Sequence, residues 1–147
     1  MTTFRRITST QNLSAVFLIR CIVGAVFLSE GIQKFLFPSE LGVGRFVKIG
    51  IPWPEVMAPF VGCFEIVCGV LFLIGFLSRL GAIAMIVNML VAISSTKIPM
   101  LLQKGFWSFA HESRVDFSML LGCVFLLIVG SGSVSIDARL NRTPDAT

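Results

Sequence analysis

The stretch LSAVFLIRCIVGAVFLSEGIQKFLF, residues 13–37, decides how the rest of the chain is interpreted. It is predominantly apolar, yet it contains three charged side chains, Arg20, Glu30 and Lys34. About 20 consecutive apolar residues are enough for a helix to cross the hydrocarbon core of a bilayer. The stretch therefore predicts a membrane-spanning helix, and its charges need partners that are shielded from lipid.

The composition of the whole chain supports a membrane protein. Of 147 residues, 55% are hydrophobic and 14% are charged, and the mean hydropathy is +0.90. A soluble domain carries about 25% charged residues. The net charge of +4 is spread along the chain, mostly at the ends of apolar segments. No compact basic patch forms, so nucleic-acid binding is excluded.

Three further apolar segments follow the first. With 13–37, the spans 55–77, 80–98 and 115–129 predict four crossings, before a short tail at 131–147. Only helices or closed barrels satisfy every backbone amide in lipid. We therefore expect an all-α integral membrane four-helix bundle with antiparallel, up-down connectivity, as a single domain over 1–147. Arg20 interrupts the first run and no small-residue cleavage motif follows, so we interpret it as a retained span.

The connections between spans carry interfacial features. The segment 41–50, within the loop between the first two spans, predicts a short amphipathic piece that lies on the membrane surface. Residues 99–114, before the fourth span, are predicted to be a loop whose Phe106, Trp107 and Phe109 lie at the membrane interface. With four spans, both termini lie on one side of the membrane, the terminal side, and the longer connections lie on the other, the loop side. Five basic residues belong to the terminal side and six to the loop side, so the positive-inside rule does not fix the orientation.

Polar residues share helix faces with small residues in each predicted span. At 100° per residue, one face of about 120° on the first span collects a set of six residues: Arg20, Gly24, Phe27, Glu30, Gly31 and Lys34. The corresponding face of the second span holds Gly62, Glu65, Gly69 and Phe72. That of the third holds Asn88, Ala92 and Ser95, and that of the fourth holds Asp116 and Cys123. Since glycines allow close helix approach, these faces are predicted to meet inside the bundle.

Two interpretations of the charged residues remain open. One is that buried ion pairs, beginning with the i, i+4 pair Glu30–Lys34, lock the helices together. The other is a proton or ligand site. In the second interpretation, Glu65 and Asp116 exchange protons. Three acids, Glu30, Glu65 and Asp116, outnumber the two bases Arg20 and Lys34 within the spans, so one carboxyl is left without a cation. The predicted ligand-binding residues are Arg20, Glu30, Lys34 and Asn88, and no metal site is predicted.

Because consecutive spans run antiparallel, the sequence also predicts how deep each polar side chain lies in the membrane. Lys34, Glu30 and Asp116 belong toward the loop side, and Arg20 and Arg79 toward the terminal side. Glu65 and Asn88 belong near the middle.

The remaining polar candidates favour structural roles. The cysteines, Cys21, Cys63, Cys68 and Cys123, form no CxxC pair and lie in apolar segments, where thiols pack as small hydrophobes. A redox role for Cys68 or Cys123 is the alternative. Asp137 is predicted to cap a short terminal helix that begins SIDARL.

The order of these residues resembles the DoxX family of small bacterial membrane proteins. The first motif, R-x3-G-x2-F-x3-G-x2-K, is formed by Arg20, Gly24, Phe27, Gly31 and Lys34. The second, G-x2-E-x3-G-x-L-x3-G-x3-R, is formed by Gly62, Glu65, Gly69, Leu71, Gly75 and Arg79. The resemblance extends over about residues 13–140. Asp116 stands where the family usually has Glu, and Glu30 is not an acidic position of the family.

The resemblance implies a multi-pass protein of the bacterial inner membrane with cytoplasmic termini. It also implies membrane redox chemistry at or beside the quinone pool, with quinone as the ligand and no covalently bound cofactor. If the protein is an enzyme, it is then an oxidoreductase or a subunit of one. No haem-ligand, flavin or iron–sulfur motif is present. Electrons would therefore come from a partner, such as a soluble redox enzyme or a second subunit, or from a soluble thiol. The alternatives are a non-catalytic membrane partner of soluble redox enzymes and a small transporter, with self-association as a further option.

Overall fold

A computed structural model describes residues 13–141, and within that range all regular structure is helical. The helices are α1 (Val16–Leu36), α2 (Val43–Lys48), α3 (Pro54–Ile74), α4 (Ser78–Ala92), α5 (Ile98–Lys104), α6 (Phe106–Val129) and α7 (Ile136–Asn141). A π-helical turn, Ile93–Lys97, joins α4 to α5. Within 41–50, where a short amphipathic piece is expected, the structure forms the helix α2.

Three helices in the described residues are long and apolar enough to cross a membrane: Val16–Leu36, Pro54–Ile74 and the continuous run Ser78–Lys104. They correspond to the first three predicted spans. The fourth predicted span, 115–129, lies inside α6, which is not among the three. Glu112, Arg114 and Asp116 give the first half of α6 a polar character that an 18-residue apolar window does not tolerate.

The prediction of a loop at 99–114 is wrong, because most of these residues are helical. α5 ends at Lys104, Gly105 turns the chain with φ +80°, and α6 begins at Phe106. Aromatic and charged residues together suggested an interfacial loop, but none of them prevents a helix. His111, predicted to lie in that loop, is exposed on α6 beside Arg114.

The most extensive helix contact joins α1 to α3, and paired glycines make it possible. A Cβ on Gly24 would lie 2.9 Å from the carbonyl oxygen of Gly69. A Cβ on Gly31 would lie 2.7 Å from the carbonyl oxygen of Gly62. The paired glycines are seven residues apart on both helices, so they recur on one antiparallel seam. The predicted glycine faces therefore do meet.

A core forms where α1, α3, α4 and α6 contact one another. It contains Val16, Val23, Phe27, Cys68, Phe72, Ala82, Met85, Met89, Met119, Cys123, Leu126 and Val129. Large apolar side chains such as Leu18, Ile22 and Leu121 are exposed on the outer faces. In a membrane protein such faces contact lipid tails, which are as apolar as the core.

Candidate functional site

A cavity of about 420 Å³ lies between the helices at the loop side of the core. Its apolar wall includes Val26, Phe27, Met57, Val61, Met89 and Met119. Its polar wall includes Lys34, Glu65, Asn88, Lys97 and Asp116. Cavities of about 300–1,000 Å³ with a few convergent polar groups are typical small-molecule sites. α2 and the loop beside it contribute Leu41, Phe46, Ile49 and Ile51.

One polar cluster connects α1, α3 and α4 at this wall. Lys34 Nζ donates a hydrogen bond to Glu65 Oε2 at 2.5 Å, and Asn88 Nδ2 donates to Glu65 Oε1 at 3.1 Å. The side chains of Lys34 and Glu65 are only 11% and 4% exposed. Both carboxylate oxygens therefore have a donor, as a buried charge requires.

The structure corrects the predicted partner of Lys34. Its ion pair is with Glu65 on α3 rather than with Glu30 on its own helix. Glu30 lines the cavity but is exposed. The i, i+4 spacing permits the local pair, but the close approach of α1 and α3 brings a buried carboxylate within reach of the same ammonium group.

A second ion pair lies on the same cavity and involves Lys97, a residue that no sequence pattern marks as part of a site. Lys97 Nζ lies 3.2 Å from Asp116 Oδ2 and donates to the Glu112 carbonyl oxygen at 2.9 Å. Lys97 is 8% exposed although it stands at the end of the third predicted span. In an uninterrupted α-helix it would lie on the face opposite Asn88, about 180° away. The π-helical turn rotates it back toward the interior.

Arg20 belongs to a different network at the opposite end of the helices. Its side chain is buried, and Nη1 donates to the Ser131 carbonyl oxygen at 2.9 Å. The Ser131 hydroxyl donates to Asp137, which joins this network to α7. Arg20 does not line the cavity, so the structure separates it from the other predicted ligand-binding residues. It does lie at the terminal side, where the sequence placed it.

Asp137 acts differently from the prediction. Ser135 caps α7, because its hydroxyl accepts a hydrogen bond from the Ala138 N–H at 3.1 Å. The Asp137 carboxylate instead accepts hydrogen bonds from the backbone of Leu77 and Ser78, at the start of α4. A pattern such as SIDARL indicates a helix start, but it does not show that a carboxylate caps another helix.

The thiols are divided between the core and the surface. Cys68 and Cys123 are buried, Cys21 is half-buried and Cys63 is exposed, and all four are free. A redox role for the buried pair stays a prediction. Within residues 13–141, no group of three or more His, Cys, Asp or Glu side chains is arranged to hold a metal ion.

Comparison with known proteins defines the family. The DoxX family model matches residues 15–98, more than half of the chain. The chain belongs to the DoxX family. It is 46% identical to the Mycobacterium tuberculosis "Uncharacterized membrane protein Rv3486", over 96% of this chain and 90% of that protein. It is 27% identical to the Bacillus subtilis "Putative oxidoreductase CatD", over 82% of each. No solved structure matches the chain.

The DoxX region contains most of the polar wall of the cavity. Lys34, Glu65, Asn88 and Lys97 lie within residues 15–98, whereas Asp116 lies beyond them. One wall therefore comes from the part matched by the DoxX model, and the facing carboxylate comes from α6. This arrangement presents hydrogen-bond donors and carboxylates to a largely apolar space.

Proposed function

We propose that this DoxX protein takes part in membrane redox chemistry at or beside the quinone pool, with a quinone head group bound in the cavity. The observation that carries the proposal is the Lys34–Glu65–Asn88 cluster, built around the buried carboxylate of Glu65, on the wall of a cavity of about 420 Å³. The similarity to the B. subtilis protein named "Putative oxidoreductase CatD" supports the redox class.

Each polar residue has a role in the proposed complex. The Lys34 ammonium and the Asn88 amide would donate hydrogen bonds to a quinone oxygen. Glu65 and Asp116 would take up or release the protons that accompany reduction and oxidation of the ring. Arg20 has no part in this site. Glu30 is exposed at the cavity, where it would exchange protons with water.

Electrons would be supplied by another protein. The residues of the cavity include no haem, flavin or iron–sulfur ligand pattern. We therefore propose that the DoxX protein is one subunit of an oxidoreductase or the membrane partner of a soluble redox enzyme. A pull-down that recovers a dehydrogenase, together with no quinone binding, would favour a purely recruiting role.

The proposed setting is the bacterial inner membrane. We propose that α6 is a fourth crossing, so that α1, α3, α4 with α5, and α6 form an antiparallel four-helix bundle with both termini in the cytoplasm. The cavity then lies toward the outer leaflet, and the Arg20–Asp137 network lies at the cytoplasmic end. Reporter fusions at the C-terminus and at residues 49–51 would test this orientation.

Quinone binding is the direct test of the function. Purified protein in lipid nanodiscs would be titrated calorimetrically with a short-chain quinone. We expect saturable binding that weakens at least about tenfold in Glu65→Gln and Lys34→Met, equivalent to about 1.4 kcal/mol. Glu55→Gln is the matched control, since Glu55 is exposed on α3 and does not line the cavity. Absence of saturable binding, or equal affinity in all variants, would refute the proposal.

A further inference from the structure

The cavity carries two polar anchors on different helices. The first is the Lys34–Glu65 pair with Asn88, which holds α1, α3 and α4 together. The second is the Lys97–Asp116 pair, which joins the π-helical turn to α6. Both pairs line the same space, so a ligand held by the first has the second within the same walls.

The π-helical turn directs Lys97 toward the cavity. Within Ile93–Lys97, hydroxyl groups bond to carbonyl oxygens one turn back: Ser94 to Leu90 at 2.7 Å and Thr96 to Ala92 at 2.6 Å. Such bonds, and the single wide turn, are costly in a helix, and π-turns occur frequently at functional sites. Here the turn places a buried ammonium group against Asp116 and the Glu112 carbonyl oxygen.

The charges of the cavity disfavour an anionic ligand. Each buried cation already has a carboxylate partner, Lys34 with Glu65 and Lys97 with Asp116. The other charged lining residues are Arg45, Glu30 and Glu112, all of them exposed. With four acids and three bases around the space, an anion would meet no surplus of positive charge. A neutral molecule with oxygen atoms would find both donors and acceptors.

The spacing of the anchors favours oxygens at opposite edges of a ring. Asn88 and Lys97 are nine residues apart on one helical run, which corresponds to a rise of about 13 Å. A six-membered ring with two opposite oxygens, each accepting a hydrogen bond, needs donors roughly 11 Å apart. The two lengths are of the same order, and both side chains line the cavity.

We propose that Lys97 and Asp116 form the second end of the ligand site and make it specific for neutral rings with two opposed oxygens. This inference rests on the proposed function, because it assumes that the cavity receives a quinone-like ring. Lys97 donates to the second oxygen of the oxidised ring, and Asp116 accepts from the second hydroxyl of the reduced ring. The first end alone would bind rings with a single oxygen.

The test compares two neutral ligands in wild-type protein and in variants in nanodiscs. Menadione has two opposed ring oxygens, and tetralone has one. We expect menadione to bind about tenfold more tightly than tetralone in the wild type, the equivalent of one additional charge-assisted hydrogen bond. In Lys97→Met the ratio of menadione affinity to tetralone affinity should fall to near one, and the affinity for tetralone should change by less than about twofold. Asp116→Asn, which preserves shape, should lower the affinity for reduced menadione.

A matched control separates specificity from folding. Lys104→Met makes the same change at an exposed position of α5 outside the cavity, and it should leave both affinities unchanged. If wild-type protein binds menadione and tetralone equally, or if Lys97→Met weakens both alike, the second end is refuted while the quinone site stands. If naphthoate binds more tightly than menadione, the neutral class is refuted. If none of these ligands binds, the proposed function fails with the inference.

Discussion

Asp137 Oδ1 accepts a hydrogen bond of 2.9 Å from the backbone N–H of Leu77, sixty residues earlier in the chain. The second carboxylate oxygen accepts from the Ser78 N–H and from the Ser131 hydroxyl. A helix start leaves N–H groups without intrahelical partners, and a carboxylate there is also favoured by the helix dipole. The C-terminal segment therefore closes the turn between α3 and α4.

Removing this carboxylate should destabilise the fold. Asp137→Ala leaves two N–H groups and one hydroxyl without their acceptor in a buried place, and we expect a loss of about 2 kcal/mol. Asp137→Asn keeps one acceptor oxygen and should lose less. The midpoint of thermal unfolding in detergent measures both. Arg139→Gln, at an exposed position of the same helix, is the control, and an equal midpoint for Asp137→Ala and Arg139→Gln would contradict the capping role.

The turn itself offers a prediction at Gly75. Its φ is +69°, and a Cβ there would overlap the Arg20 guanidinium at Nη1. Gly75→Ala therefore combines backbone strain with displacement of the buried guanidinium. Gly50→Ala is a close control, because Gly50 has φ +72° and a Cβ added to it would meet no atom within 4 Å. We expect Gly75→Ala to be less stable than Gly50→Ala by more than about 2 kcal/mol in detergent unfolding. Equal losses of stability in the two variants would show that the Arg20 side chain moves aside at no cost in free energy.

The sequence predicted the features that depend on helical periodicity. The first three apolar segments, the glycine faces of α1 and α3 and the buried position of Glu65 all follow from a 3.6-residue repeat and from membrane thickness. Lys34 and Asn88 were placed on inward faces for the same reason. These features are local, so one helix at a time is enough to derive them.

Features that depend on interhelical contacts or on irregular backbone were not predictable. The partner of Lys34 is decided by the approach of α3, and spacing within α1 favoured Glu30 instead. Lys97 was missed because a regular helix points it outward, and no residue pattern indicated the π-helical turn. Asp137 was assigned to its own helix because its contact with α4 joins residues sixty positions apart.

The glycine seam predicts a sharp response to one added methyl group. In Gly31→Ala the Cβ would lie 2.7 Å from the Gly62 carbonyl oxygen, and backbone cannot move aside as a side chain can. We expect α1 and α3 to separate and the unfolding free energy to fall by about 1–3 kcal/mol. Ala25→Val adds bulk on the exposed side of α1 and should have little effect. Similar thermal midpoints for the two variants would mean that the seam is not tightly packed.

The Lys34–Glu65 pair predicts strong coupling between two substitutions. Lys34→Met leaves a buried carboxylate without its cation, so we expect a loss of about 3 kcal/mol or more in detergent unfolding. Glu65→Gln leaves the ammonium group in a similar position. The double variant removes both charges and should be more stable than Lys34→Met alone, because no unpaired charge remains. Glu30→Gln, at an exposed position, should change stability by less than about 0.5 kcal/mol. Additive losses in the double variant, or a loss in Glu30→Gln as large as that in Lys34→Met, would contradict the pairing of Lys34 with Glu65.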